Sequence, residues 1–254
     1  MDNFVPKTAL ITGASAGIGR AMAYSLAAKN LTLILVARRL SILEEIKKDL
    51  NQKFPGSTIH LIESDVNDPN LSARLTTVSN SNIDILINNA GLALGKDRVE
   101  TASFADFEQM ISTNITANFR INHLIVPWML KNGGGDIINL CSIAGHETYI
   151  GGSVYCATKH AVHAFTKVLR EETAGKNIRV MQISPGMVDT EFSTTRFKGD
   201  KAAADLVYAG MKPLMGEDIA RMMQFMLDQP RHVVIDEMIT MPIAQGSPTT
   251  VIRA

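Results

Sequence analysis

Cysteine is scarce in this sequence of 254 residues, which contains only Cys141 and Cys156. Two cysteines are too few for a disulfide framework, and their spacing matches no metal-binding pattern. Because disulfides persist mainly in oxidising compartments, the shortage favours a reducing, cytoplasmic location. We therefore expect a cytoplasmic protein that needs no metal ion.

An excess of charge is also absent, because 25 lysines and arginines balance 25 aspartates and glutamates. No basic run with interleaved aromatic residues occurs, so nothing favours nucleic acid as a partner. The longest apolar runs, such as residues 31–37, fall far short of the roughly 20 residues that span a bilayer. The first residues lack the basic and apolar regions of a signal peptide. We expect no nucleic-acid partner and no membrane association.

Apolar strand-like runs alternate with helical patterns along the whole chain. Strands are predicted at 8–12, 31–37, 58–62, 83–88, 137–141, 178–183 and 238–243. Helices are predicted at 17–29, 41–53 with Ser41 as its cap, 69–79, 103–130 with a kink or end at Pro127, 153–173 and 217–227. Several strands are nearly continuous apolar runs, as in a parallel sheet covered on both faces. The pattern predicts one α/β domain over 1–254, a Rossmann-like, doubly wound parallel sheet flanked by helices on both faces.

A glycine-rich turn follows the first predicted strand and precedes the first helix. Glycines let the backbone approach a phosphate, and the amino end of the helix attracts the anion. The spacing, Gly-x-x-x-Gly-x-Gly, differs from the standard dinucleotide fingerprint, so a purely structural turn stays open. The predicted cofactor-binding residues of this turn are Gly13, Ser15, Ala16, Gly17, Ile18 and Gly19.

Two arginines end the second predicted strand, where a chain that binds NAD would carry an acidic residue for the ribose diol. Arg38 and Arg39 suit a 2′-phosphate by charge and by planar geometry, so we predict NADP(H) as the cofactor. The alternative is that both are solvated residues at the start of a helix. Asp65 and Val66, after the third strand, are predicted to meet the adenine.

Tyr155 and Lys159 are one helical turn apart, and Ser142 ends a buried strand upstream. Residues i and i+4 lie on one face of a helix, so both side chains would point into the same cleft. An ammonium beside the phenol would lower its pKa from about 10. With the Ser142 hydroxyl nearby, the three residues predict an acid/base site for a carbonyl or an alcohol. The alternative is a chance pair on a surface helix.

These motifs together resemble the short-chain dehydrogenase/reductases of the single-domain, NADP-dependent type. The resemblance covers essentially the whole chain, and it rests on TGASAGIG at 12–19, Asp65, NNAG at 88–91, Asn114, Ser142, Tyr155, Lys159 and Pro185-Gly186. The stretches at 91–95, 142–146, 151–159 and 191–200 are similar to the 3-hydroxy acid dehydrogenases, which oxidise serine and allo-threonine and are also described as malonic semialdehyde reductases.

The resemblance implies a role for each matching residue. Tyr155 would be the general acid or base, Lys159 would also bind the nicotinamide ribose, and Ser142 would position the substrate oxygen. Asn114 would hold a water that relays protons to Lys159. Asn89, Ala90, Pro185, Gly186, Val188 and Thr190 would line the cofactor pocket. Family analogy also implies a homotetramer.

A small 3-hydroxy acid carries a carboxylate that needs a cation near the nicotinamide. A polar segment begins at residue 186 and is predicted to be irregular through 199. We expect a substrate lid over about 186–212. The segment carries Arg196 and Lys198. We predict that Arg196 binds the substrate carboxylate, and His146 is a second candidate. The alternative is that Arg196 is only an exposed residue of the lid. A reductase of other ketones or aldehydes, such as 3-ketoacyl compounds, and a non-catalytic NADP-binding regulator remain as alternative functions.

Overall fold

Among residues 4–254, seven parallel strands form one sheet in the order β3-β2-β1-β4-β5-β6-β7. The structure, a computed structural model, describes residues 4–254, so the first three residues of the predicted domain lie outside it. The strands are β1 Thr8–Thr12, β2 Thr32–Ala37, β3 Thr58–Glu63, β4 Ile85–Asn88, β5 Gly135–Leu140, β6 Ile178–Pro185 and β7 Glu237–Thr240.

Helices cover both faces of this sheet. They are α1 Gly17–Ala27, α2 Leu40–Lys53, α3 Leu71–Ser79, α4 Phe104–Ile111, α5 Ala117–Lys131, α6 Ser153–Thr173, α7 Glu191–Arg196, α8 Lys201–Leu206 and α9 Gly216–Leu227. One core contains residues of α1, α2 and α9, and the other contains residues of α3, α5 and α6. Within β1, Ala9 and Ile11 face the first core while Leu10 faces the second. The predicted Rossmann-like, doubly wound parallel sheet is confirmed.

The predicted long helix at 103–130 is interrupted by a π-helical turn, Ser112–Thr116, between α4 and α5. The interruption depends on tertiary hydrogen bonds made by Asn114 within that turn. Pro127 lies inside α5 and does not end it. Ile125 and Met129, on either side of the proline, are fully buried. Their burial offsets the hydrogen bond that a proline removes from a helix.

Two further local predictions are wrong. Helix α2 begins at Leu40, because Arg39 already has the extended backbone of a cap residue, so Ser41 lies within the helix. The segment expected to be irregular between residues 186 and 199 contains α7, and α8 follows it. Thr190 caps α7 by accepting a hydrogen bond from the N–H of Phe192, and Asp200 caps α8 in the same way.

No helix among residues 4–254 is long and apolar enough to cross a membrane.

Candidate active site

The carboxyl ends of β1, β2, β4, β5 and β6 surround a cavity of about 520 Å³. Parallel strands bring these ends to one edge of the sheet, where open α/β sheets bind ligands. The cavity is lined by most of the residues predicted to form a site: Gly13, Ser15, Ala16, Gly17, Ile18, Arg38, Arg39, Asp65, Val66, Asn89, Ala90, Ser142, Tyr155, Lys159, Pro185, Gly186, Val188, Thr190 and Arg196. Gly19, Asn114 and His146 do not line it.

Thr12 links the glycine-rich turn to the residues after β4 by hydrogen bonds. The Thr12 Oγ1 atom accepts hydrogen bonds of 3.0 Å from the backbone N–H groups of both Asn89 and Ala90. The Asn89 side chain donates back to the Thr12 carbonyl at 2.9 Å. Gly13 has a φ of +66°, and a Cβ there would lie 2.8 Å from Asn89 Nδ2. Both the backbone angle and the close approach therefore require glycine.

The amino end of α1 faces the cavity and is suited to an anion. No side chain among residues 4–254 caps this helix, and its first turn carries no acidic residue. Its first N–H groups can therefore bind a phosphate. Gly19 has a different role from the one predicted, because a Cβ there would collide with the Gly13 carbonyl oxygen and Asn89 Nδ2. Gly19 allows close packing and does not contact the cavity.

Both predicted arginines are exposed at the mouth of the cavity. Arg39 Nη2 donates to Ser15 Oγ at 3.1 Å, and its Nη1 pairs with Glu191 Oε2 at 2.7 Å. Arg38 Nη1 lies 3.9 Å from Asp65 Oδ2. The guanidinium of Arg39 therefore lies directly beside the phosphate-binding turn and touches α7.

Tyr155 and Lys159 are both buried and both line the inner end of the cavity. The Lys159 Nζ atom lies 5.9 Å from the centre of the Tyr155 ring and donates to the Leu140 carbonyl at 3.0 Å. The Ser142 hydroxyl donates to the Pro185 carbonyl at 3.4 Å and accepts from the N–H of Ala144 at 3.1 Å. The structure thus brings the three predicted catalytic residues together.

The predicted lowering of the Tyr155 pKa by Lys159 is wrong for this structure. Burial raises the pKa of Tyr155 above its ordinary value, and the nearby Tyr149 raises it further. Contact with Ser142 and the positive charge of Arg196 act in the opposite direction. Burial also lowers the pKa of Lys159, which favours its neutral form. Because burial favours the neutral form of Lys159, its amine stabilises the phenolate of Tyr155 less than a full positive charge would. The cation that lowers the pKa of Tyr155 is Arg196.

Asn114 holds the strand-to-helix loop that follows β4. Its side chain accepts from the Leu92 N–H and donates to the Leu92 carbonyl, both at 2.8 Å, and also donates to Thr158 Oγ1 at 3.0 Å. A Cβ on Gly91 would lie 3.3 Å from Asn114 Oδ1 and 3.5 Å from Lys159 Nζ. Asn114 and Lys159 therefore flank the same glycine. A water relay between them stays a prediction.

Comparisons with known proteins agree with this geometry. The sequence profile described as short chain dehydrogenase matches residues 7–201. The chain belongs to the short-chain dehydrogenase family. It is 45% identical to the NADP-dependent 3-hydroxy acid dehydrogenase of Schizosaccharomyces pombe, over 100% of this chain and 99% of that protein. It is 37% identical to the sulfoacetaldehyde reductase of Chromohalobacter salexigens, over 93% and 94% of the two chains.

A solved structure has the same fold throughout. The closed form of serine dehydrogenase complexed with NADP+ aligns with a TM-score of 0.88 at 35% identity. The alignment covers 97% of this chain and 99% of that one. The family resemblance inferred from the motifs is therefore confirmed.

His146 does not face the cavity of this short-chain dehydrogenase, so its prediction as a substrate residue is wrong. A 3₁₀ turn, Ile143–Gly145, separates it from Ser142 and turns the chain away from the site. His146 Nε2 instead lies 2.6 Å from Glu237 Oε1, at the start of β7.

Arg196 lies where the sequence predicted a substrate cation. Its Nη2 donates to Tyr149 Oη at 2.9 Å, its Nε donates to the Gly95 carbonyl at 3.1 Å, and its guanidinium carbon lies 5.6 Å from the Tyr155 ring centre. Helix α7, with Arg196 at its end, forms one wall of the cavity of this dehydrogenase. That residues 186–212 open and close as a lid stays a prediction.

Among the cavity residues that sequence reasoning missed, three make contacts that shape the site. Tyr149 orients Arg196, Phe192 packs edge-on against Tyr155 with 5.7 Å between ring centres, and Gln245 accepts from the Met187 N–H at 2.8 Å. The aromatic side chains were the available signal, because Tyr149 lies just before the stretch at 151–159 and Phe192 lies within the stretch at 191–200. Gln245 lies in the carboxyl-terminal tail, and no local pattern in the sequence brings it to the cavity.

Proposed function

We propose that this dehydrogenase catalyses the reversible, NADP-dependent oxidation of a small 3-hydroxy acid. The observation that carries the proposal is one continuous cavity with three chemically distinct regions. A phosphate-binding turn and Arg39 lie at its mouth, Ser142, Tyr155 and Lys159 lie at its inner end, and the Arg196 guanidinium lies over the Tyr155 ring. The activities for which the relatives are named also support it.

The residues present fit NADP. The amino end of α1 suits the diphosphate, and the exposed guanidinium of Arg39, beside Ser15, suits a 2′-phosphate. The first residues after β2 are basic, whereas NAD requires an acid to hold the ribose diol. When bound, the nicotinamide supplies the hydride donor or acceptor of the reaction.

The side chains at the inner end supply the proton chemistry. In the oxidation direction, Tyr155 takes the proton of the substrate hydroxyl, and in the reduction direction it returns that proton to the carbonyl oxygen. Ser142 hydrogen-bonds the same oxygen and holds it beside Tyr155. Lys159, fixed by the Leu140 carbonyl, lies 5.9 Å from the centre of the phenol ring and would hold the nicotinamide ribose.

Arg196 is the proposed partner of the substrate carboxylate. It is half-buried between Tyr149 and Tyr155, and two hydrogen bonds fix its Nε and Nη2 atoms. Its Nη1 atom donates to no atom of residues 4–254 and is free to bind an anion. A guanidinium held in place by other contacts loses little side-chain entropy when it pairs with a carboxylate.

Replacing Arg39 by alanine tests the cofactor assignment. Because the variant loses a charge-assisted hydrogen bond to the 2′-phosphate, we expect the Kd for NADP to rise about 10- to 100-fold, with little change for NAD. Titration of cofactor fluorescence measures both constants. Arg20→Ala is the control, since Arg20 lies on the exposed side of α1 outside the cavity and should not change the ratio of the two constants. An unchanged NADP-to-NAD ratio in Arg39→Ala would contradict the assignment.

Replacing Arg196 by alanine tests the substrate assignment. For serine, allo-threonine and 3-hydroxypropionate, kcat/KM should fall about 10- to 100-fold, because an ion-paired hydrogen bond is lost. For uncharged alcohols of similar size it should change little, with each protein assayed at its own optimum pH. Lys198→Ala is the matched control, since Lys198 pairs with Asp106 at 2.8 Å and does not line the cavity.

The same substrate panel separates the alternatives. Equal losses of kcat/KM on charged and uncharged substrates in Arg196→Ala would contradict the proposed role of Arg196. They would favour a reductase of other ketones or aldehydes. Sulfoacetaldehyde, for which one relative is named, belongs in the panel because its sulfonate is also an anion. Absence of turnover with every substrate would favour a non-catalytic NADP-binding protein.

We further propose that the protein works in the cytoplasm as a homotetramer. Both cysteines are buried, free thiols, as a reducing compartment allows. Exposed apolar side chains, Phe225 on α9, Ile239 on β7 and Ile243 after it, lie near the free edge of the sheet and would be covered by another subunit. Light scattering should give about four times the chain mass of 27.6 kDa, and a monomer mass would rule the tetramer out.

A further inference from the structure

Two histidines and a glutamate meet behind the active site, between β6, β7 and α6. His146 follows the 3₁₀ turn after β5, His163 lies on α6, and Glu237 is the first residue of β7. One ligand atom of each lies within 4.8 Å of the others. Gln182 and Ser184 of β6 complete the group, which we call the His–Glu cluster. None of its members lines the catalytic cavity.

The His–Glu cluster contains more hydrogen-bond acceptors than donors. The Gln182 Nε2 atom carries two hydrogens but lies within hydrogen-bond distance of three acceptors, His163 Nδ1 at 3.0 Å, Ser184 Oγ at 3.0 Å and Glu237 Oε1 at 2.6 Å. His146 Nε2 and Ser184 Oγ also approach Glu237 Oε1. The Gln182 Oε1 atom is buried and meets no donor among residues 4–254. A cation beside the carboxylate would complete this arrangement.

The distances fit a small cation after a slight adjustment. Four-coordinate zinc has bonds of about 2.0–2.1 Å, which place neighbouring ligand atoms roughly 3.3 Å apart. His163 Nδ1 lies 3.7 Å from Glu237 Oε2, and His146 Nε2 lies 2.6 Å from Glu237 Oε1. The separation of His146 Nε2 from the carboxylate would have to grow from 2.6 Å by roughly 0.7 Å, which the turn before His146 allows. The side chains are 16–24% exposed, so an ion can enter and water can complete its coordination.

We propose that His146, His163 and Glu237 form a site for a divalent transition-metal ion of the zinc type, with the remaining coordination open to water. Two imidazoles and one carboxylate are ligands that zinc and its neighbours favour over magnesium or calcium. Gln182 and Ser184 orient the carboxylate, as outer partners do in zinc sites. The ion would tie the chain after β5 to α6 and β7, directly behind Ser142.

The test uses the full-length protein stripped of metal with a chelator. Cobalt is the probe, because tetrahedral Co²⁺ absorbs visible light and occupies zinc sites. We expect one Co²⁺ per chain, displaced by Zn²⁺, and a higher melting temperature with either ion. His163→Gln and Glu237→Gln should each weaken Co²⁺ affinity by more than about tenfold. Removing a group that only hydrogen-bonds a metal ligand already costs about tenfold, so removing a ligand should cost more.

The control variant is His123→Gln, which removes an exposed histidine on α5 outside the cluster and should bind Co²⁺ like the wild type. Thermal unfolding without metal shows whether each variant is folded. If Glu237→Gln does not fold, His163→Gln alone decides, because its side chain lies at the partly exposed edge of the cluster. Wild-type affinity in His163→Gln, or no saturable binding to the wild type, would overturn the site.

Discussion

The chemistry of this site depends on a phenol that is buried beside cations held in place by the main chain. Desolvation favours the neutral form of Tyr155, which suits a proton donor but opposes its action as a base. Contact with Ser142 and the positive charge of Arg196 offset part of that effect. Lys159 is anchored by the Leu140 carbonyl and its pKa is lowered by its own burial, whereas Arg196 is anchored by the Gly95 carbonyl. Arg196, the proposed partner of the substrate carboxylate, thereby also acts to lower the pKa of Tyr155.

The sheet makes this arrangement possible. Because its strands are parallel, their carboxyl ends bring Gly13 after β1, Asn89 after β4 and Ser142 after β5 to one edge. The chain order reverses between β1 and β4, and Thr12 joins the two strands where the cofactor turn begins. The cavity therefore follows from the topology, and α7 forms one of its walls, with Thr190 as the cap residue before the helix and Arg196 as its last residue.

Much of the fold and site could be predicted, because the deciding signals were local. Continuous apolar strands, the glycine-rich turn and the i, i+4 pair of Tyr155 and Lys159 depend on regular backbone geometry. The errors share another cause. The π-helical turn depends on contacts between Asn114 and Leu92, and the position of His146 depends on Glu237, which is distant in sequence.

The pKa of Tyr155 could not be predicted either, because burial is a property of the fold. The spacing of Tyr155 and Lys159 fixes which groups are near each other, but not how much water remains between them. Tyr149 and Gln245 reach the cavity from segments without a recognised motif, and only the assembled tertiary structure shows that they contribute.

The most direct measurement of the central claim is the pH dependence of kcat/KM for oxidation of an uncharged secondary alcohol at saturating NADP. Activity should rise as pH rises through the pKa of Tyr155, since the base must be deprotonated. Because Arg196 lowers that pKa, the rising limb should move to higher pH in Arg196→Ala and stay in place in Lys198→Ala. A limb that stays in place, or moves to lower pH, in Arg196→Ala would contradict the account.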